Sequence, residues 1–380
     1  MDKKFSFIYG ALVLAISTIM IRSVNNMVIT TVPLLGRYVL VLSNVEISFI
    51  IATVYISMML VTFYVNPALT STVRRRAFIA SNFVISIALV GYYFSSTLSL
   101  FILSAAAGIA FGLMIPNLTT AASLVGGQEH LERVMALYTV SLSISLVLGP
   151  AYETFLLKFV SYREVFLLFL PFSVTGFIAS FFLKFPATRK ENYGMKTFKN
   201  RGLIASILLI TTYNIPFAII SIYLVIFSIS KFGISGDLGY SLFIPFFTVS
   251  FLTRIYMMIR PFKNHLYPAI ASIAITMIGI VLIFLSTNFV YLYIVMAMLG
   301  IPHGLVFTLS VITISKNTGI EERNAANSYF MAYNNVLFLA SPVLFSVIAV
   351  YITMNTTFLL VLIPVVISAV LLRKYYDVIK

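Results

Sequence analysis

The chain alternates between long apolar stretches and short polar connections. Apolar stretches of about 19–29 residues are long enough to cross a bilayer as helices. Because the hydrocarbon core holds no water to satisfy backbone groups, each stretch is predicted to be α-helical. Twelve such stretches are predicted, at residues 6–32, 45–66, 77–95, 98–125, 134–157, 163–184, 202–230, 239–259, 267–286, 289–315, 325–351 and 354–372.

Three features of the first half return in the second half at nearly one offset. The offsets are 192, 190 and 192 residues, about half of the 380-residue chain. An internal repeat of this length predicts two pseudo-symmetric six-helix bundles in an all-α polytopic membrane protein, residues 1–184 and 202–380, with a polar cytoplasmic linker at 185–201. The repeated features are Gly108-Ile-Ala-Phe-Gly112 with Gly300-Ile-Pro-His-Gly304, Glu132-Arg133 with Glu322-Arg323, and Gly149-Pro150 with Ser341-Pro342.

Composition agrees with this pattern. Hydrophobic residues make up 61% of the chain and charged residues 9%, whereas soluble domains have roughly 45–50% and 25%. The chain has no cysteine, which excludes disulfides and thiolate-bound metals.

The net charge of +14 is explained by topology rather than by nucleic acid. If the N-terminus is cytoplasmic, twenty Lys and Arg residues fall on the inner side, Arg254 among them. Only four fall on the outer side, namely Arg37, Lys158, Arg163 and Lys231. The bias predicts a multi-pass protein of the cytoplasmic membrane with both termini inside, whose basic loops contact anionic lipid.

Four segments resemble motifs of the major facilitator superfamily. The residues from Asn66 to Arg75 resemble the family's Gly-x-x-x-Asp-Arg-x-Gly-Arg-Arg loop between helices 2 and 3, but keep only its last two arginines. Ser104 stands in helix 4 where the family's arginine would be. Gly149-Pro150 is similar to the Gly-Pro element of antiporters, and Tyr162-Arg163-Glu-Val-Phe166 to Trp-Arg-x-x-Phe at the start of helix 6.

The resemblance implies alternating access by two bundles, with helices 1, 4, 7 and 10 lining the cavity. It also implies that the bend at Gly149 and Pro150 helps to seal the bundle interface against leak. The missing aspartate leaves open whether a charge relay latches the conformational states.

Arg22 is a charge within the first predicted span, followed one turn later by Asn25 and Asn26. A charge there costs at least about 2.5–3.5 kcal/mol on insertion scales, so it faces a cavity or a partner. One interpretation is a substrate anchor, because a guanidinium offers a rigid fork of donors. The other is a structural ion pair with Glu153.

Glu153 is the candidate for proton coupling, because a carboxyl group in apolar surroundings can exchange a proton. The alternative is a superficial ion pair, since Lys158 and Arg163 follow closely. Glu46 is predicted instead to cap a helix, as Ser43-x-x-Glu46 has the spacing of a capping box.

Further polar residues within spans are predicted to line the substrate site. Asn214 aligns with Asn25 at an offset of 189, and Pro216 interrupts its helix, as discontinuous helices do at transporter sites. The alternative role is to join helices or pack. The further substrate-binding candidates are Asn117, Tyr213, His303 and Asn334.

Two other groups have structural or gating assignments. Gly108, Gly112, Gly300 and Gly304 have the small-x-x-x-small spacing that lets helices approach closely. A cytoplasmic gate is predicted from repeated loop charges, for which solvated loop residues are the alternative. The gate residues are Arg74, Arg75, Glu132, Arg133, Glu322 and Arg323.

These features predict a secondary transporter of a small solute, driven by protons or another gradient ion and functioning as a monomer. An efflux antiporter is favoured by Gly149-Pro150; an uptake or exchange carrier for a polar or anionic metabolite is favoured by Arg22. No phosphate loop for ATP occurs. No enzymatic activity, metal or cofactor is expected, because acidic residues and histidines are not clustered. A non-transporting sensor on the same scaffold is the third possibility.

Overall fold

A computed structural model describes residues 3–125, 127, 129–183, 185 and 194–380. Every regular element in these residues is helical, and twelve helical segments are long and apolar enough to cross a membrane, which confirms the predicted all-α fold. Residues 186–193 of the predicted linker lie outside the described residues, as does Lys184. We label the helical segments α1 to α12 by their membrane-length parts, which in α1, α2, α8 and α12 begin one to four residues after the helix itself. These parts are Phe7–Tyr38, Val45–Ala68, Ser71–Tyr93, Thr97–Ala122, Leu131–Leu156, Tyr162–Phe182, Arg201–Phe232, Leu238–Ile259, Leu266–Leu285, Phe289–Asn317, Arg323–Tyr351 and Asn355–Ile379.

Four of these segments are not one continuous α-helix. α2 consists of Asn44–Leu60, a π-helical segment Val61–Val65 and a 3₁₀ turn Asn66–Ala68. α6 is divided into Tyr162–Leu168 and Leu170–Phe182, and α8 into Gly236–Ser241 and Phe243–Ile259. α12 is divided into the α-helices Met354–Leu360 and Leu362–Leu372, the 3₁₀ turn Arg373–Tyr375 and the short helix Tyr376–Ile379.

Helix starts follow local capping chemistry. The capping box at Ser43 is confirmed: the Ser43 amide donates to Glu46 Oε2 at 2.8 Å, and the Glu46 amide donates to Ser43 Oγ at 3.3 Å. α3 begins at Ser71 rather than at residue 77, because Thr70 has the extended backbone of an N-cap. The predicted loop arginines Arg74 and Arg75 therefore belong to the first turns of a helix.

The helices form two compact units. Unit 1 comprises Met1–Gly194 with Ile320–Ala332, and unit 2 comprises Met195–Gly319 with Tyr333–Lys380. In unit 1 the most extensive helix pairs are α1 with α5 and α2 with α4; in unit 2 they are α8 with α10 and α7 with α10. α11 is divided, since its first turns belong to unit 1 and the remainder to unit 2.

In unit 1, α4 lies against α2 along its glycines. A Cβ atom at Gly108 would collide with the Val54 carbonyl oxygen, and one at Gly112 would lie 2.7 Å from the Met58 carbonyl oxygen. Real Cβ atoms essentially never come this close to backbone. Both positions therefore require glycine.

Unit 2 repeats this contact between α10 and α8. A Cβ at Gly300 would collide with the Phe246 carbonyl oxygen, and one at Gly304 would lie 2.7 Å from the Ser250 carbonyl oxygen. Phe246 and Ser250 each lie 192 residues after their counterparts in α2, because 246 − 54 and 250 − 58 both equal 192. The glycines and their partner carbonyls thus share one offset.

Candidate functional site

Arg22 and Asn25 form a small polar group on α1. The Arg22 Nη1 atom lies 3.4 Å from the Asn25 Oδ1 atom. The Nε atom of Arg22 and the Nδ2 atom of Asn25 are buried and have no hydrogen-bond partner among the described residues. Tyr55 of α2 and Tyr138 of α5 lie within electrostatic range of the guanidinium. The group therefore presents two unused donors within one helical turn.

Asn26, the next residue, has a different environment. Its Nδ2 atom donates to the Ser145 carbonyl oxygen of α5 at 3.2 Å. Near this contact, a Cβ at Gly149 would lie 3.1 Å from the Ser23 carbonyl oxygen, and Pro150 lies within the same helix. Asn26 thus joins α1 to α5 at a close approach, which corresponds to its alternative role of holding helices together.

Glu153 is buried, with 5% of its surface exposed. Its Oε2 atom accepts a hydrogen bond from Thr30 Oγ1 and its Oε1 atom accepts one from Thr31 Oγ1, each at 2.6 Å. These threonines follow Arg22 by eight and nine residues, or about 12 Å along a helix. In place of the alternative ion pair with Arg22, the structure thus shows a carboxylate bonded to two hydroxyl groups.

The surface ion pair is not observed either. Arg163 donates from Nη1 to the Tyr93 carbonyl oxygen at 2.6 Å, and Lys158 is exposed. The reason is geometric: the Glu153 side chain points to α1, whereas Arg163 reaches the end of α3.

His303 of α10 lies in an aromatic cluster of unit 2. Its ring centroid is 4.4 Å from that of Phe217, 4.8 Å from Phe246 and 5.6 Å from Tyr213. The side chain is buried, and its Nδ1 atom has no hydrogen-bond partner in the described parts of the chain. This surround corresponds to the alternative role, a packed polar residue.

Arg254 is a functional candidate that the sequence reasoning missed. The residue was assigned to a cytoplasmic loop, whereas the structure places it inside α8 with 4% of its surface exposed. Its Nη2 atom donates to the His303 carbonyl oxygen at 3.1 Å. The sequence does indicate this placement, because residue 254 falls within the predicted span 239–259.

The repeat gives Arg254 a counterpart in unit 1. Subtracting 192 leads to Thr62, whose Oγ1 atom donates to the Gly112 carbonyl oxygen at 3.1 Å. Gly112 and Gly304 are equivalent in the repeat, so both side chains donate to the same turn of their partner helix. Unit 2 therefore has a guanidinium where unit 1 has a hydroxyl group.

The remaining predicted residues of unit 2 connect α7 to α11. The Asn214 Nδ2 atom donates to the Asn334 Oδ1 atom, and Thr211 Oγ1 hydrogen-bonds to Tyr333 Oη at 2.6 Å. Tyr213 belongs to the aromatic cluster around His303. Tyr213, Asn214 and Asn334 thus lie in one neighbourhood, at the junction of α7 with α10 and α11.

Asn117 does not join the Arg22 group. Its Nδ2 atom donates to Asn66 Oδ1 at 2.9 Å, and Asn66 Nδ2 donates in turn to Ser328 Oγ at 2.7 Å. This buried cluster connects α2, α4 and the first turns of α11. It was not predicted, because Asn66 falls in a motif position where the family has glycine.

The predicted gate arginines contact carbonyl oxygens and a ring. Arg323, buried, donates from Nη1 to the Ser123 carbonyl oxygen at 2.8 Å. Arg75 donates from Nη2 to the Phe181 carbonyl oxygen at 3.2 Å, and the Arg74 guanidinium lies 5.5 Å from the Phe185 ring centroid. Of the other predicted gate residues, Arg133 is exposed, and Glu132 and Glu322 are half-buried.

No site for a metal ion is formed by the described residues, in which no three His, Asp or Glu side chains come together suitably. The chemistry that the site residues offer is therefore recognition by hydrogen bonds and charge. Within the spans, half-buried Arg22 and buried Arg254 supply cations, and Glu153 supplies a buried carboxyl group.

Comparisons with known proteins place this geometry in a family. Three solved structures of similar fold are all transporters, at 10–12% sequence identity. The Escherichia coli fucose:proton symporter FucP, in the outward conformation, matches with a TM-score of 0.75, 12% identity and 99% of each chain covered. The proton:xylose symporter XylE, bound to 6-bromo-6-deoxy-D-glucose, matches with a TM-score of 0.76, 12% identity, and 98% of this chain and 96% of that one.

The human organic anion transporter MFSD10 matches with a TM-score of 0.73, 10% identity, and 98% of this chain and 99% of that one. No curated protein sequence matches the chain. A family model, described as the Major Facilitator Superfamily, matches residues 14–263 and 265–378. That match extends over nearly the whole chain, so this multi-pass membrane protein, a transporter and not an enzyme, belongs to the major facilitator superfamily.

Proposed function

We propose that the protein carries a small solute with an anionic group, such as a carboxylate, and that Arg22 and Asn25 bind that group. The observation that supports this is the pair of unused, buried donors, Arg22 Nε and Asn25 Nδ2. No carboxylate hydrogen-bonds to Arg22 within the described residues. A bound carboxylate would accept from both donors and compensate the charge.

The anionic class follows from the energetics of a charge within a membrane span. A guanidinium there costs at least about 2.5–3.5 kcal/mol and is normally compensated by a partner or by substrate. A planar carboxylate matches the donor fork of arginine and forms charge-assisted hydrogen bonds. A neutral solute would use the donors but leave the charge uncompensated.

Proton coupling is proposed at Glu153. Ionised, its carboxylate accepts from both Thr30 and Thr31; protonated, one of its oxygens becomes a donor. Thr30 Oγ1 also lies 3.1 Å from the Asn26 and Met27 carbonyl oxygens. When Glu153 is protonated, this hydroxyl can therefore turn to those carbonyls and accept from the Glu153 O–H, which reverses the direction of that hydrogen bond between α1 and α5.

The test is solute counterflow in proteoliposomes with labelled monocarboxylates, dicarboxylates and neutral sugars. We expect counterflow of a carboxylate, reduced about a hundredfold in Arg22→Ala because a buried charged contact is lost. Arg22→Lys keeps the charge without the fork and is expected to retain part of the activity. Arg373→Ala, a control on an exposed arginine outside the predicted site and gate, should transport normally. Counterflow of neutral sugars alone, undiminished in Arg22→Ala, would refute the anionic class.

An efflux antiporter is the second candidate, favoured by the resemblance of Gly149-Pro150 to the Gly-Pro element of antiporters. A pH gradient of either sign distinguishes the two directions of coupling. Accumulation of the solute in vesicles that are acidic inside supports antiport, whereas accumulation in alkaline vesicles supports symport. Specific binding with no flux under any gradient would favour the sensor.

The proposed location is the cytoplasmic membrane, with both termini in the cytoplasm. We expect the basic loops to contact anionic lipid and a single chain to be the functional unit. Because Arg254 lies inside α8, nineteen Lys and Arg residues remain on the inner side, against four on the outer side. The charge bias therefore still predicts the same orientation.

A further inference from the structure

We propose that Val41 stores backbone strain in the connection between α1 and α2, and that this strain makes the C-terminal end of α1 ready to move. The strained turn is defined as residues 39–43, which connect the two helices within unit 1. α1 is also the helix that carries Arg22 and Asn25. The inference does not depend on which solute those two residues bind.

Val41 has a backbone conformation that valine rarely adopts. Its φ is 55°, and it is the only residue other than glycine with a positive φ in the described parts of the chain. In this left-handed region the Cβ atom of an L-residue comes too close to the following carbonyl oxygen, and a β-branched residue there is a genuine outlier. The penalty is equivalent to a factor of about 5–30 in the equilibrium with a relaxed conformation.

Packing does not compensate the strain at Val41. Its side chain is 84% exposed, so its methyl groups gain little from burial within the protein. A glycine at this position would remove the strain without loss of a buried contact, because glycine adopts positive φ freely. Stability alone therefore does not account for a valine here.

The residues on either side of Val41 hold it in this conformation. The Leu42 side chain is buried, and its amide donates to the Gly36 carbonyl oxygen at 2.9 Å. The Leu42 carbonyl oxygen accepts from Arg37 Nη1 at 3.5 Å, and Ser43 is the N-cap of α2. Strained conformations persist where the surrounding structure fixes them. The turn therefore keeps its strain as long as α1 and α2 keep these contacts.

The end of α1 has weakened hydrogen bonding before the strained turn. Pro33 lies within the helix and, lacking an amide N–H, cannot donate to the carbonyl group four residues before it. The amides of Val39 and Leu40 both donate to the Leu35 carbonyl oxygen, at 3.0 and 3.1 Å. The segment from Pro33 to Val41 is thus weakened at both ends, which makes it the part of α1 that the strain can displace.

The repeat provides a relaxed version of the same turn in unit 2. Gly233 follows the end of α7 with a φ of 65°, and its amide donates to the Ile229 carbonyl oxygen at 3.0 Å. Ser235 is the N-cap of the first helix of α8, as Ser43 is of α2. Both 233 − 41 and 235 − 43 equal 192. Of these two equivalent connections, only the one in unit 1 carries the strain.

The experiment uses the natural absence of cysteine. Val32→Cys is nearly isosteric and places one thiol on α1 at a position that is 2% exposed; Val225→Cys, at 5%, is the matched reporter on α7. The rate of maleimide labelling in proteoliposomes follows the population in which the helix end has moved. With Val41→Gly added, we expect labelling at residue 32 to be about 5–30 times slower, because the described conformation is no longer strained.

The converse change is Gly233→Val, which introduces the same strain into unit 2. It is expected to make labelling at residue 225 faster by a similar factor, about 5–30-fold. A melting temperature confirms that this variant is folded. If it does not fold, the variants of Val41 decide the question alone.

Two further variants separate strain from other effects of glycine. Val41→Ile keeps the β-branched side chain and should label at the original rate. Val41→Asn tolerates positive φ and should slow labelling at residue 32 as Val41→Gly does. Slower labelling at 32 in both relaxed variants, with labelling at 225 unchanged, supports the strained turn. Unchanged labelling at 32, or equal slowing at both reporters, overturns it.

Discussion

At the scale of single residues, the contact of Glu153 with Thr30 and Thr31 has two hydrogen-bonding states. An ionised carboxylate accepts from both hydroxyl groups, whereas a protonated carboxyl group can donate one of these two hydrogen bonds and accept the other. Glutamine has the shape of the protonated form and cannot exchange a proton, so it fixes one of these states.

We expect Glu153→Gln to abolish accumulation driven by a pH gradient while keeping solute counterflow within about threefold of the original, since exchange requires no net proton movement. Uptake with and without an imposed gradient measures both. Glu46→Gln, which alters an exposed helix cap, is the control. Gradient-driven accumulation that survives in Glu153→Gln would assign the coupling proton elsewhere.

His303 gives a second residue-scale prediction. Because its ring packs among four aromatic rings, His303→Phe should keep the melting temperature and transport nearly unchanged. His303→Ala leaves a cavity and should cost about 2–4 kcal/mol of unfolding free energy. Thermal unfolding in detergent and counterflow test this. Loss of transport in a stable His303→Phe protein would instead indicate a substrate contact.

The sequence predicted the identities of Arg22, Asn25 and Glu153, because charges and amides are rare in apolar spans. It did not predict their partners. One of the two alternatives paired Glu153 with Arg22. Rotation and register between two helices are set by packing, however, and the hydroxyl groups of Thr30 and Thr31 carry no distinctive pattern. Arg254 lies within the predicted span 239–259, so the same rarity of charge in apolar spans applies to it.

At the scale of helices, the glycine contacts fix how α4 lies on α2 and how α10 lies on α8. The spacing of the glycines predicted a close approach, but not which helix would approach. The glycines meet backbone carbonyls, such as those of Met58 and Ser250. Because every residue type has a backbone carbonyl, the sequence does not indicate which helix supplies them.

Gly304→Ala is therefore expected to lower stability by about 1–3 kcal/mol, because the added methyl group meets backbone and must displace α8. Gly236→Ala is the control, since the nearest atom to its new methyl group would be 3.9 Å away. Thermal unfolding of the purified variants compares them. Equal melting temperatures for the two variants would contradict the close contact.

Helix length was the least predictable element property. The apolar run at 77–95 marks the part of α3 that crosses the membrane, whereas the helix itself begins at Ser71. Hydropathy measures contact with lipid, whereas the helix begins where the backbone leaves the extended conformation of Thr70. The arginines between these two points are therefore helical although they were expected in a loop.

At the scale of the whole molecule, the count of twelve spans followed from hydropathy alone. The division of α11 between two units did not, because it arises from contacts such as Arg323 with Ser123 that join residues 200 positions apart. The charged linker indicates where the first half of the sequence ends and the second half begins. It does not indicate that the first turns of α11 bond to residues that precede the linker.

The proposed orientation can be tested at the two ends of α11. Ile320 and Tyr351 are both exposed, at 50% and 82%. With an impermeant maleimide on intact cells, Tyr351→Cys should react and Ile320→Cys should react only after permeabilisation, because the charge bias places the start of α11 inside. The reverse pattern would invert the topology. The unmodified chain, which has no thiol, is the blank.

The glycine contacts of α2 with α4 and of α8 with α10 also have a practical use for protein engineering. Because each glycine and each carbonyl it meets recurs 192 residues later, the two helix pairs are the same building block used twice. A replacement found to improve thermostability in one copy has a ready second candidate in the other, identified by adding 192 to its number. Thr62 and Arg254 mark where the copies have diverged and such transfer should stop.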